Sequence, residues 1–431
     1  MSMVVAKIDW RQLYTFASRQ ALLGFCFDGI ERLTKEFSEE LKQNPMGRDL
    51  LMTWMGASQQ IHRQNMKVNA VAGKLYSKFR EDGLRCCILK GQGNALMYPN
   101  PYSRTPGDID VWVNASREEI TDYAKTHFEI GDDIRFHHLE TSFDGVPVEL
   151  HFFPGIMNNP IYHARLQKWF RRNADLQCSH IVGLPDGAGD IAIPTTAFNV
   201  IYQLTHLYHH FFDEGIGMRQ IIDYFLVVND FSKNVFLDYD FSNHPVPLSK
   251  EGSTFSPSPS SSGSGDVTAP SRCSEPLRSK DGGPSKVSPN CAGWDRLAIE
   301  GDNSAGSTTV VTSSASTALD VVQRELKYLG LWKFSGAVMY VLHEALGLSE
   351  EKMIAPMDEK RGKLLLAEIL NGGNFGKHFT KYGHFTQQGM AKKYFLKIWR
   401  NMHFVRYFPA EALSEPIFRT WHFFWRLKHR R

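Results

Sequence analysis

An α+β fold, with a small mixed β-sheet flanked in sequence by helical regions on both sides, is predicted for this 431-residue chain by three observations. Helical apolar periodicity fills the segment from Trp10 to about Phe79 and returns after Ala318. A central stretch, about 81–155, carries strand and turn signals instead. A segment rich in Ser, Gly, Pro and Thr, about 243–317, carries neither. The resulting divisions are an N-terminal helical region 1–80, a mixed core 81–155, a second helical region 156–242, a disordered linker 243–317 and a C-terminal helical region 318–431.

Taken in order, Leu22-Leu23-Phe25-Phe27-Ile30-Leu33 is spaced for a helix, and Met55 to Arg80 reads as one long amphipathic helix entering the core. The apolar run Cys86-Cys87-Ile88-Leu89 reads as a buried strand that ends in Lys90-Gly91-Gln92-Gly93. A second strand is carried by Ile109-Val111-Trp112-Val113. Asp144-Gly145 between alternating apolar residues predicts a hairpin of Phe136 to Phe143 with Val146 to Phe153, placing Glu149 and His151 on one face. Thr195 to Val228 is helical, with Ile201-Tyr202-Leu204-Leu207-Tyr208-Phe211 as its apolar face. The linker, typified by Ser256-Pro257-Ser258-Pro259-Ser260-Ser261-Ser262-Gly263, lacks the apolar surface that would offset its chain entropy. Helices resume with Val321-Val322-Leu326-Leu329-Leu331, and Asn371-Gly372-Gly373-Asn374-Phe375-Gly376 is a turn between two of them.

The formal charge of +3 is close to balance and implies no global polyanion partner. With no run of about 18 apolar residues and no secretory leader, a soluble cytoplasmic protein is expected. Cys26, Cys86, Cys87, Cys178, Cys273 and Cys291 have no metal-binding spacing and are expected as free thiols.

The chemistry concentrates on Asp108 and Asp110. On a strand, alternation puts both carboxylates on one face, about 6 to 7 Å apart at the backbone. That separation suits two Mg²⁺ ions, which activate an attacking oxygen and stabilise a leaving one in displacement at phosphorus. Glu149 supplies the third acid such a pair needs. Ahead of them, Gly91 and Gln92 open a turn whose backbone N–H groups can approach phosphate, and Lys90 and Arg104 offer positive charge. Arg104 has two jobs open to it, gripping phosphate or bracing the aspartates.

This order of strand, glycine turn, Asp-x-Asp strand and third acid resembles the DNA polymerase β-like nucleotidyltransferase superfamily. More narrowly, Leu89-Lys90-Gly91, Arg104-Thr105-Pro106-Gly107-Asp108-Ile109-Asp110, Val148-Glu149-Leu150-His151 and Gly217-Met218-Arg219-Gln220-Ile221-Ile222-Asp223 resemble the uncharacterised nucleotidyltransferase family of bacterial polysaccharide and secondary-metabolite gene clusters. The resemblance implies metal binding at Asp108, Asp110 and Glu149, with two Mg²⁺ ions or Mn²⁺ in their place. It also implies transfer of a nucleoside monophosphate, most simply from ATP, to a polysaccharide or metabolite precursor. The chain departs from many superfamily members in having Gly91-Gln92 for Gly-Gly or Gly-Ser, and in a longer interval to Asp108.

Two rival readings are a nucleotide-binding module of the same fold without turnover, and a metal phosphohydrolase built on His206, His210 and Asp223. Against the second, His-Glu-x-x-His is absent and the helix carries aromatic and aliphatic residues throughout, which favours packed histidines. Arg219 and Asp223, at i, i+4, are expected to pair. The basic, aromatic tail Arg419 to Arg431 is expected to pack its rings on the core in preference to a membrane surface or nucleic acid.

Overall fold

Five strands form one sheet whose order places the Asp-x-Asp strand beside the strand carrying the third acid. The computed structural model describes residues 7–234, 308–378 and 390–429. Strands β1 (Cys86–Leu89), β2 (Ile109–Val113), β3 (Glu129–Ile134), β4 (His138–Phe143) and β5 (Val146–His151) lie in the order β1-β2-β5-β4-β3. β2 and β5 are parallel and the other pairings antiparallel, so the sheet is mixed. The β4–β5 hairpin turns through Asp144 and Gly145 with φ of 49° and 69°. Two positive values in a row are the type I′ geometry, whose twist matches that of the strands.

Register then fixes the faces. Asp110 stands opposite Glu149 and Trp112 opposite His151, while His138 is opposite His151 across the hairpin. Opposed residues point the same way, so these five side chains share one face. The reverse face bears Ile88, Val111, Leu139 and Leu150, all at most 1% exposed.

Helices α1 (Trp10–Arg19), α2 (Leu23–Glu36), α3 (Ser38–Gln43) and α4 (Arg48–Glu81) precede the sheet. Val68, Val71, Ala72, Leu75 and Phe79 recur at helical spacing along α4 and join the core of the reverse face. Burial of each large member contributes about 1.5–3 kcal/mol. Short α5 (Gly91–Ala95) follows β1, and α6 (Arg117–His127) follows β2, its start fixed by a Ser116/Glu119 capping box.

The functional face is covered by α7 (Pro160–Gln177), α8 (Thr196–Asp213) and α9 (Met218–Asn234), with the ribbon β6 (Ile181–Gly183) and β7 (Asp190–Ala192) between α7 and α8 in sequence. Trp112 stacks on Phe198 of α8 at 6.0 Å, and Phe198 on Trp169 of α7 at 4.5 Å. α8 is buried on nearly every side, with Phe198, Val200, Ile201, Leu204 and Phe211 among its buried residues, and runs through the middle of this layer. Beyond lie α10 (Thr308–Tyr328), α11 (Trp332–Leu346), α12 (Glu359–Gly372), α13 (Met390–Met402) and α14 (Pro409–His429).

Some expectations need correction. The helical stretch from Thr195 is two helices, broken at Gly215, whose φ is 105°. α10 starts at Thr308, inside the segment read as linker, because Ser and Thr are weak helix formers but do not bar a helix. Residues 243–307 of that segment, with Cys273 and Cys291, lie outside the described residues; Cys26, Cys86, Cys87 and Cys178 are free thiols. The tail packs on one side only: Phe418, Trp421 and Trp425 surround Phe136, whereas Ile417 and Phe424 are exposed. Among the described residues no helix is long and apolar enough to cross a membrane.

Candidate active site

The chain leaves β1 through a strained turn. Lys90 has φ 53° and ψ −128°, a conformation that costs a residue with a side chain about 1–3 kcal/mol. The turn aims its ammonium at the functional face, 3.0 Å from Asp110 Oδ1 and 3.2 Å from His206 Nε2. The helix after it is a single turn, and Gln92 sends its side chain away from the face to donate to Asn69 Oδ1. Of the residues expected to hold nucleotide, Lys90, Gly91 and Arg104 therefore line the site, and the Gln92 side chain does not.

Asp108, just before β2, and Asp110 and Glu149, paired across β2 and β5, open onto one cavity of about 380 Å³. One imidazole joins two of the acids: His151 Nε2 lies 3.0 Å from Asp110 Oδ1 and 3.3 Å from Glu149 Oε2. Burial opposes ionisation of Asp110, but Lys90 and His151 outweigh it and hold the carboxyl well below its usual range. Burial likewise opposes Glu149, and the hydrogen bond from His151 keeps it lowered. Asp108 behaves in the opposite way. Although it reaches solvent at the cavity mouth, repulsion from Asp110, enclosure by the surrounding chain and the charge of Glu149 push it up to about 6. Three acids thus face two neighbouring basic groups, and the uncompensated repulsion is what a hard, oxygen-ligated cation would relieve. The donor set fits Mg²⁺.

His151 gives the site a pH signature. Burial disfavours its charged ring, but hydrogen bonds to Asp110 and Glu149 raise it from 6.5 to about 9. A folded value above the unfolded one means that its contribution is fully present below about pH 6.5 and lost as pH rises through about 9. Urea unfolding without divalent ions is expected to show this decline, and His151→Gln to flatten it.

The arginines exchange partners relative to expectation. Asp223 pairs with Arg104 and not with Arg219: Nε and Nη2 of Arg104 lie 2.9 and 2.8 Å from its two oxygens, and the Tyr98 hydroxyl donates at 2.7 Å. Arg104 therefore spends its bidentate contact on Asp223 while still lining the cleft beside Asp108 and Asp110. Arg219 donates from Nη1 to the Thr105 carbonyl at 3.0 Å, and its Nε has no hydrogen-bond partner. A narrow cavity of about 60 Å³ is lined by Lys90, Gly91, Arg104 and Arg219, with Asp108 and Asp110 on its border with the wider one. The sequence spacing paired Arg219 with Asp223; Arg219 lines the cleft instead because Arg104 captures Asp223 from a distance in sequence.

The wider cavity draws on distant segments. Phe375, from the turn after α12, and Phe418 and Arg419 of α14 line it. Arg419 and Lys397 of α13 both reach Asp213 at the end of α8, at 3.0 and 2.7 Å, which ties the C-terminal helices to the site. His206 and His210 pack ring against ring at 4.3 Å. Burial, then the charge of Lys90, holds His206 well below its ordinary range, so it accepts a hydrogen bond from Lys90. Among the described residues, His206, His210 and Asp223 do not form a cluster with ligand distances, whereas Asp110, Glu149 and His151 do.

A mixed sheet that presents Asp-x-Asp at the start of one strand and a glutamate on its parallel neighbour, beside a cation-lined cleft, has the parts of a nucleotidyl-transfer centre. The chain belongs to the family described as uncharacterised nucleotidyltransferase, whose model matches residues 6–242. The match spans Lys90, Arg104, Asp108, Asp110, Glu149, Arg219 and Asp223, and nucleotidyl transfer is the general activity it carries. A crystal structure of an antigenic nucleotidyltransferase-like protein from Paracoccidioides brasiliensis is similar at 16% identity and a TM-score of 0.25, over 37% of this chain and 75% of that one. No curated protein matches the chain.

Proposed function

We propose that the protein is a Mg²⁺-dependent nucleotidyltransferase that moves a nucleoside monophosphate, most simply AMP from ATP, onto a hydroxyl, phosphate or carboxylate acceptor. The observation that carries this reading is the convergence of Asp108, Asp110 and Glu149 on one wide cavity, with Asp108 and Asp110 also bordering a cation-lined cleft. Asp108, Asp110 and Glu149 would hold Mg²⁺, or Mn²⁺ in its place. The bound ions would supply charge stabilisation for the entering and leaving oxygens. An acceptor oxygen attacks the α-phosphorus, the bond to the β-phosphate oxygen breaks, and pyrophosphate leaves. Glu149 would help to take the acceptor proton. Lys90 and Arg219 offset phosphate charge from the narrow cleft, and Arg104 holds its wall by clamping Asp223. The wider cavity is left for the acceptor, which the family resemblance suggests is a polysaccharide or metabolite precursor. A triphosphate donor suits a cytoplasmic location.

Incubation with each α-labelled nucleoside triphosphate, Mg²⁺ and cell extract tests the proposal: label is expected to leave the nucleotide for an acceptor with release of pyrophosphate. Arg219→Gln is expected to raise KM for the nucleotide about tenfold with a smaller change in kcat, the effect of losing a charge-assisted contact made before the chemical step. Steady-state kinetics with varied nucleotide separates the two parameters. One observation favours a competing reading. Lys90 lies 3.0 Å from Asp110, where a lysine can stand in for a cation in a module that binds nucleotide without turnover. Nucleotide binding that ignores Mg²⁺ and releases no pyrophosphate would favour that alternative.

A further inference from the structure

We propose a second, nitrogen-rich metal site next to the acidic trio, in which His137, His138 and His151 hold a divalent first-row transition ion such as Zn²⁺. One ligand nitrogen from each ring lies within 4.8 Å of the others. The sheet holds the rings in place: His138 and His151 are a cross-strand pair, and the His137 carbonyl accepts from the Phe152 N–H at 2.9 Å. Ring centroids are 4.3 Å apart for His137–His138, 5.1 Å for His138–His151 and 5.7 Å for His137–His151.

A second observation, independent of this grouping, is unmet bonding capacity. His138 and His151 are each 3% exposed. Neither ring nitrogen of His138 makes a hydrogen bond, although Nδ1 is 3.3 Å from Glu149 Oε2 and Nε2 is 3.9 Å from Glu140 Oε1; His151 Nδ1 is also without a partner. Each buried polar atom left unsatisfied costs about 1–3 kcal/mol. Three such atoms on two adjoining rings are poor packing and suit ligation, with an entering ion displacing the proton that the charged His151 ring carries on Nδ1. All three histidines line the cavity of about 380 Å³, which gives an ion a way in, and Glu149, 3.3 Å from both His138 Nδ1 and His151 Nε2, offers a carboxylate as a further ligand. Imidazole selects Zn²⁺, Co²⁺, Ni²⁺ or Fe²⁺ over Mg²⁺, so this site and the oxygen-rich set at Asp108 and Asp110 would take different metals. Small side-chain rotations would bring the nitrogens to the roughly 2.0–2.1 Å that zinc requires.

The test is titration of chelator-stripped, full-length protein with Co²⁺ alone, read by visible absorption. One Co²⁺ per chain is expected, with the bands of a nitrogen-ligated ion, displaced by Zn²⁺ and not by excess Mg²⁺. His137→Phe and His138→Phe, which keep a ring in place, should each weaken binding at least about tenfold, while Asp108→Asn leaves it unchanged. X-ray absorption of the wild-type complex, which needs no variant to fold, should count three imidazoles. An oxygen-only shell, the absence of saturable binding by folded wild-type protein, or undiminished affinity in the His137→Phe/His138→Phe double variant would overturn the proposal. The readout contains no nucleotide, so its failure leaves the transferase reading standing.

Discussion

Replacing Asp110 with asparagine is expected to lower nucleotidyl transfer by about a thousandfold, the scale on which loss of one preorganised electrostatic group acts in charge-stabilised transfer. Asp110 is the most deeply buried of the three acids and the one that both Lys90 and His151 contact. The amide keeps the shape and an acceptor oxygen but removes the charge that would bind a cation, and it leaves two basic groups facing a neutral side chain. The chain should still fold, because the apolar core on the other face of β2 is untouched. Single-turnover transfer from α-labelled ATP at saturating Mg²⁺ measures the loss, and near-UV circular dichroism checks the fold. Within twofold of wild-type activity, Asp110 would have no part in the chemistry.

The largest stability effect is expected at Arg104. Arg104→Met strands the Asp223 carboxylate in a site where both partners are at most 5% exposed, and removing one member of such a pair costs about 3–5 kcal/mol. Tyr98 would remain as a donor but supplies no full charge. The double variant Arg104→Met/Asp223→Leu removes the stranded charge together with its partner and should recover most of the loss. Urea midpoints for the two single variants and the double variant measure this. A single-variant cost below about 1 kcal/mol, the level of a surface pair, would mean that Asp223 finds another partner, with Arg219 the nearest candidate.

Where a local signal sufficed, the sequence was informative. Asp144-Gly145 predicted the β4–β5 hairpin, and with it the face shared by Glu149 and His151, because turn chemistry and strand period act within a few residues. The strand at Cys86–Leu89 was equally legible from its apolar run. β3, with the charged sequence Glu129-Ile130-Gly131-Asp132-Asp133-Ile134, has no alternation to announce it, and β6 and β7 are too short to show a period. The pairing of Arg104 with Asp223 spans 119 residues, so local spacing favoured the neighbour Arg219 instead. Phe375 and Arg419 reach the cavity through tertiary contacts with the end of α8, Phe375 against His210 and Arg419 against Asp213, which no local pattern encodes. The orphaned nitrogens of His138 were invisible for the same reason: residue type can be read from sequence, and the absence of a partner cannot.

The most direct test of the central claim, that Asp108, Asp110 and Glu149 together serve cation-assisted transfer at an α-phosphorus, is the fate of α-labelled ATP with purified protein, extract and Mg²⁺. Labelled acceptor and free pyrophosphate are expected in equal amounts, both abolished by chelation and by Asp108→Asn. Orthophosphate release with the label retained in ADP, or label transfer that persists in Asp108→Asn, would contradict it.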